Sequence, residues 1–225
     1  MITESPGAAG VPGSLRPGGR TARTRAAVLR AAIEELNDSG YSEASVERVA
    51  QRAGVAKTTI YRRWGSLDGL LADMMAEHAA QEIPVPDEGS LNGDLHALAD
   101  RVVASLRVPA LRAAFGVMVK EAATDPAARE LLSRFLTGRF ATMTVIIERA
   151  AARGELSPHT DAAGVLGTVS GVIYYRLYVL GEPVSQGIAD CAAATALAAA
   201  RAGVHSGPAE KFGPDPSESR PPGRR

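Results

Sequence analysis

The chain has 225 residues with 25 basic and 25 acidic side chains. It is long enough for a substantial hydrophobic core, and any affinity for nucleic acid must come from local charge rather than net charge. Its one cysteine, Cys191, excludes an internal disulfide and a cysteine-rich metal site. No apolar run approaches the roughly 18 residues of a membrane span, and the first twenty residues hold no apolar signal core. A cytoplasmic protein is therefore expected. Arginine outnumbers lysine 22 to 3, so a lone arginine carries little information.

Residues 1–20 are rich in Gly, Pro and Ala without periodicity and are expected to be a disordered arm; residues 204–225 have the same character. Between them the pattern is helical throughout. Residues 22–38 place Val28, Leu29, Ala32, Ile33 and Leu36 on one face, and Gly40 ends the run. Ser45 is a predicted N-cap for a helix over 46–52, which Gly54 breaks. A helix over 56–63 follows, then one over 67–80 with Leu67, Leu70, Leu71, Met74 and Met75 at helical spacing. The stretch Ile83 to Gly89 suggests a boundary between a block at 21–82 and another at 90–203.

The second block reads as five more helices. Leu91, Leu95, Leu98, Val102 and Leu106 form one stripe, and Pro109 and Pro126 suit the first turns of the next two helices. The second of these runs to Arg153. Thr160 or Asp161 caps a helix ending near Gly181, and a last helix runs from Val184 to Arg201. Sustained two-residue alternation is missing, so the expected class is all-α, with about nine helices.

The segment GVAKTTIYRRWGS, Gly54 to Ser66, is poor core material on one side. With Ile60 at the centre of the inward face, Ala56 and Trp64 lie four residues either side and share it. Thr58 and Arg62 then point away, flanked by Thr59, Tyr61 and Arg63, with Lys57 at the helix start. These are donors suited to phosphate oxygens and base edges. Joined to helix 46–52 by a tight turn, the segment has the form of a helix-turn-helix. Upstream, Arg16, Arg20, Arg23, Arg25 and Arg30 carry no acid among them from Leu15 to Leu29, which favours a polyanionic partner.

The stretch SVERVAQRAGVAKTTIYRRWGSLDGLL resembles the DNA-binding signature of the tetracycline-repressor-like (TetR) family of bacterial regulators. The matching residues are Ser45, Val49-Ala50, Ala53-Gly54-Val55, Thr58-Thr59, Ile60-Tyr61, Trp64, Ser66 and Leu70-Leu71. Leu67 departs from the pattern: a phosphate-touching lysine is usual there. The run Tyr174 to Pro183 is similar to the end of the penultimate helix in one subgroup. The resemblance implies a homodimer that places paired recognition helices in successive major grooves of a pseudo-palindromic operator. It makes Ser45, Lys57, Thr58, Thr59, Tyr61, Arg62 and Arg63 the DNA-contact candidates, with Arg23 added from the arginine arm. Thr58 and Arg62 are the expected base readers, and Tyr61 and Arg62 also serve phosphate. A DNA-bound, nucleoid-associated location follows.

The resemblance also implies dimerisation through the last two helices, where Gly164, Thr168, Gly171, Tyr175 and Tyr178 form a stripe and the final helix is rich in alanine. It further implies a cavity for an apolar or aromatic effector, with Phe115, Met118, Phe135, Phe140, Met143, Tyr174 and Tyr178 as candidate lining. Ligand would act through helix 67–80. A ligand-independent DNA-binding dimer is the alternative, and a helical carrier or enzyme a remoter one. No phosphate loop, histidine-backed nucleophile or carboxylate pair is present, so no enzymatic activity and no cofactor are expected. His96 and Asp100, with Asp94 near, read as surface polar groups rather than metal ligands.

Overall fold

The computed structural model describes residues 19–206; Arg16, most of the N-terminal arm and the tail beyond Ser206 lie outside the described residues. Within them the chain forms nine α-helices: α1 (Gly19–Ser39), α2 (Val46–Ala53), α3 (Lys57–Trp64), α4 (Leu67–Glu82), α5 (Leu91–Ser105), α6 (Pro109–Ala122), α7 (Pro126–Ala152), α8 (Ala162–Tyr174) and α9 (Gln186–Arg201). Their starts follow from local chemistry. Ser45, Ser66 and Ser90 each accept a hydrogen bond from the backbone N–H three residues on, and Asp125 and Asp161 accept from the N–H two residues on. Each such cap satisfies an otherwise orphaned donor. Pro109 and Pro126 occupy first-turn positions, where no N–H is needed.

The helix expected to run unbroken to Gly181 does not. Its last turn, Tyr175–Val179, is π-helical. That wider turn shifts the side-chain register and divides the predicted small-residue stripe. Tyr178 turns inward and donates to the Arg112 carbonyl at 2.9 Å, while Tyr175 stays exposed. At the other end the segment after α9 folds back over α8. His205 approaches Thr168 Oγ1 at 3.1 Å, and a Cβ at Gly164 would meet the His205 ring at 2.7 Å. The chain itself thus covers Gly164 and Thr168, leaving Gly171 open.

Two hydrophobic clusters organise the interior. One gathers α1, α2, Ile60 of α3, the first half of α4 and the inward face of α6, including Leu111, Phe115 and Met118. The other gathers α5, the second half of α7, α8, α9 and the end of α4. α6 therefore packs with the N-terminal helices, although it follows them by a long stretch of chain. α4 belongs to both clusters, with Leu70, Leu71, Met74 and Met75 in the first and Ala79 and Ile83 in the second. After α4, three arginines hold the irregular stretch by its carbonyls: Arg139 donates to Ile83, Arg101 to Pro84 and Arg149 to Pro86.

Candidate nucleic-acid interface and interior cavity

α2 and α3 meet at a sharp turn. Gly54 sits in the left-handed region at φ 66°, and the Val55 N–H closes back on the Ala50 carbonyl at 3.0 Å. A side chain at position 54 would strain this turn. Val46, Val49 and Ala50 anchor α2, and Ile60 is fully buried. Glu35 of α1, 1% exposed, lies between Arg48 and Arg52 of α2. That pairing neutralises a buried carboxylate and pins α1 to α2.

The inward face of α3 is narrower than its spacing predicts. Ala56 is exposed, because it is the extended N-cap residue ahead of the helix and not part of its first turn. Trp64 is half-buried, and its indole N–H donates to Asp73 Oδ2 at 2.8 Å. The same carboxylate accepts twice from Arg25, at 3.0 and 2.6 Å, and Arg25 also reaches Glu77. Burial alone would raise the Asp73 carboxyl, but the hydrogen bonds from Arg25 and Trp64 hold it below its ordinary value. Asp73 hydrogen bonding likewise raises the Arg25 guanidinium above its usual range. This side chain of the arginine arm is thus bound to α4 and withdrawn from the free positive charge.

Thr58, Tyr61, Arg62, Arg63 and Lys57 are exposed and Thr59 is half-buried. Tyr61 is 44% exposed, unusual for a large aromatic. Lys57 lies 3.7 Å from Glu47. Arg62, Arg63 and Arg23 form no ion pair among the described residues, and the Arg63 guanidinium stacks over Trp64 at 5.3 Å. Ser45 accepts from Arg48 N–H at 3.2 Å and keeps its own proton to donate. Leu67 is half-buried against the N-terminal cluster at the head of α4. Between α1 and α3 runs an open groove of about 470 Å³, walled by Thr21, Arg25, Thr59, Arg62 and Trp64 among others.

A further concavity lies between the helices of the body. A cavity of about 60 Å³ lies among α4, α5, α7 and α8, with Phe115 of α6 at one end. Of the sequence-predicted lining, Phe115, Phe140, Met143 and Tyr174 face it. Met118 lies in the N-terminal cluster, and Phe135 and Tyr178 pack around Phe115, with ring centroids 6.3 and 5.6 Å away. Sequence reasoning missed the polar wall: His78, Ser105, Arg139 and Ser170. His78 Nε2 and Ser105 Oγ are 3.0 Å apart, and burial lowers the His78 pKa. Burial pushes the Tyr174 hydroxyl up to about 12 against the opposing pull of Arg139.

An exposed hydroxyl- and guanidinium-bearing helix, set across a tight turn on an all-helical body, defines a helix-turn-helix DNA-binding protein. Residues 28–74 match the family model for bacterial regulatory proteins of the tetR family, and residues 85–196 match that for the tetracycline repressor-like C-terminal domain. The HTH-type transcriptional regulator AqdR of Rhodococcus erythropolis is 31% identical over 165 residues, 73% of this chain and 79% of that one. The uncharacterized HTH-type regulator YdeS of Bacillus subtilis is 29% identical over 167 residues, 72% of this chain and 82% of that one. Among solved structures, the TetR family transcription regulator SCO0332 aligns with a TM-score of 0.68 at 25% identity, covering 78% of this chain and 97% of that one. The chain belongs to the TetR family. It is a DNA-binding transcriptional regulator and not an enzyme.

Proposed function

We propose that the protein is a homodimeric, ligand-responsive repressor that reads a pseudo-palindromic operator with α3. The observation that carries this reading is the double role of α4. Its Asp73 holds Trp64 at the end of α3, while Met75, His78, Ala79 and Ile83 wall the cavity. A ligand that binds better when α4 is displaced would move the recognition helix, and a tenfold loss of operator affinity needs about 1.4 kcal/mol of such differential binding. The largely apolar wall suits an apolar or aromatic ligand body.

Base reading is assigned to Thr58 and Arg62, and phosphate contact to Ser45, Lys57, Thr59, Tyr61, Arg63 and Arg23. Dimerisation is assigned to the outer faces of α8 and α9. Support comes from an exposed apolar patch at the π turn: Tyr175, Val179 and Leu180 are 54%, 69% and 54% exposed in the isolated chain, which suits a covered surface. Titrating operator duplex with Thr58→Ala and Arg62→Ala tests the assignment; sequence discrimination unchanged in both variants would overturn base reading by α3. The cavity, about 60 Å³ against the several hundred usual for ligand sites, favours one second reading: a dimer whose DNA binding needs no ligand. Operator affinity unmoved by any bound small molecule would support that reading.

A further inference from the structure

Three arginines grip the chain after α4, but their company differs. Arg101 lies 3.7 Å from Glu88 and Arg149 lies 3.5 Å from Asp87. Arg139 has no carboxylate within ion-pair distance among the described residues; its one hydrogen bond goes to the Ile83 carbonyl at 3.0 Å. It is also the one of the three that lines the cavity. No Asp, Glu or Lys shares that wall, and burial, offset in part by Tyr174, lowers the Arg139 pKa. A guanidinium has five donors in a planar fork. Arg139 is half-buried, and the donors it does not spend on Ile83 are free to pair with an anion at the cavity.

Two further donors stand in the same wall. The Tyr174 and Ser170 hydroxyls make no hydrogen bond among the described residues, and both border the cavity. Apart from His78 and Ser105, which hydrogen-bond each other, the rest is Leu98, Val102, Phe140, Met143 and similar apolar surface. We propose that the cavity is a site for a small amphipathic monocarboxylate, its acid group paired with Arg139 and its short hydrocarbon body against α5 and α7. One cation matches one negative charge, and the cavity of about 60 Å³ admits about four to six water-sized groups, which suits a short-chain acid of three or four carbons. Arg139 also holds the carbonyl of Ile83, the C-cap of α4, so an acid that draws the guanidinium inward loosens the end of that helix. The proposal rests on the ligand-responsive reading and names the ligand class for it.

The test uses the full chain and four probes: propanoate, butanoate and their neutral amides propanamide and butanamide, titrated by calorimetry. The acids should bind about tenfold or more tightly than the amides, the scale of one charge-assisted hydrogen bond. Arg139→Gln, which removes the charge and keeps a polar side chain, should abolish that preference, and Arg139→Lys should keep part of it. Amides binding as tightly as acids, an acid preference surviving in Arg139→Gln, or no binding of any probe to the folded protein would each overturn the proposal. Because the acid–amide comparison is made on the unaltered chain, it stands even if a variant fails to fold. Operator release is scored separately. An acid that binds through Arg139 but leaves operator affinity unchanged would overturn the ligand-responsive reading while leaving the anion site intact.

Discussion

Replacing Asp73 with alanine should loosen the recognition helix from α4. The carboxylate accepts from Trp64 at 2.8 Å and from Arg25 at 3.0 and 2.6 Å. Arg25 keeps a second partner in Glu77, so its loss is partial, and the pair is partly solvent-exposed, which weakens it further. The Trp64 N–H loses its acceptor outright. At a net ~1 kcal/mol or somewhat more per hydrogen bond lost, the cost is about 2 kcal/mol in all. Asp73→Asn, which retains an acceptor for the indole, should cost about half as much. Urea unfolding at one fixed protein concentration measures this, since the proposed homodimer would make stability concentration-dependent. Trp64→Phe should cost little once Asp73 is gone, giving a coupling of about 1 kcal/mol in the double-mutant cycle. Strictly additive effects, or a cost below about 0.5 kcal/mol for Asp73→Ala, would refute the idea that this carboxylate holds α3.

Arg62→Ala should cost about 1–3 kcal/mol per half-site and relax sequence preference, while Arg63→Ala should weaken binding to all duplexes alike and lower the salt slope by about one per subunit; fluorescence anisotropy over a salt series separates the two. Gly171→Arg meets open space in the isolated chain and should leave the helical fold intact while shifting the protein towards monomer in light scattering. His78 titrates below its ordinary 6.5 because of burial, with Glu82 opposing. Folding therefore favours the neutral ring: its contribution is complete above pH 6.5 and falls as the pH drops below that value. Thermal unfolding from pH 5 to 8 should show this decline, and His78→Gln should flatten it.

The DNA-facing block was legible because its determinants are local. Ser45, Gly54 and Ser66 punctuate the helices by cap and turn chemistry, and Ile60 buries itself by spacing alone. Ala56 was misplaced because spacing fixes an angle on a helix but cannot say that the residue precedes the first turn. The family resemblance supplied the rest of the helix-turn-helix reading. Other features depend on partners far along the chain. Arg25 sits in an acid-free stretch, yet its carboxylates arrive 48 and 52 residues later. The π turn carries no mark in the residue pattern, so the Gly164-to-Tyr178 stripe looked continuous. Arg139 is one of 22 arginines; its place in the cavity wall follows only from packing α7 between α4 and α8.

The most direct measurement of the central claim is selection of bound sequences from random DNA duplexes by the full-length protein. The account predicts an inverted repeat whose half-site centres lie about one helical turn apart or a multiple of it, with the enriched bases changing in Arg62→Ala and Thr58→Ala. An unrepeated motif, no enrichment, or the same enrichment in both variants would contradict it.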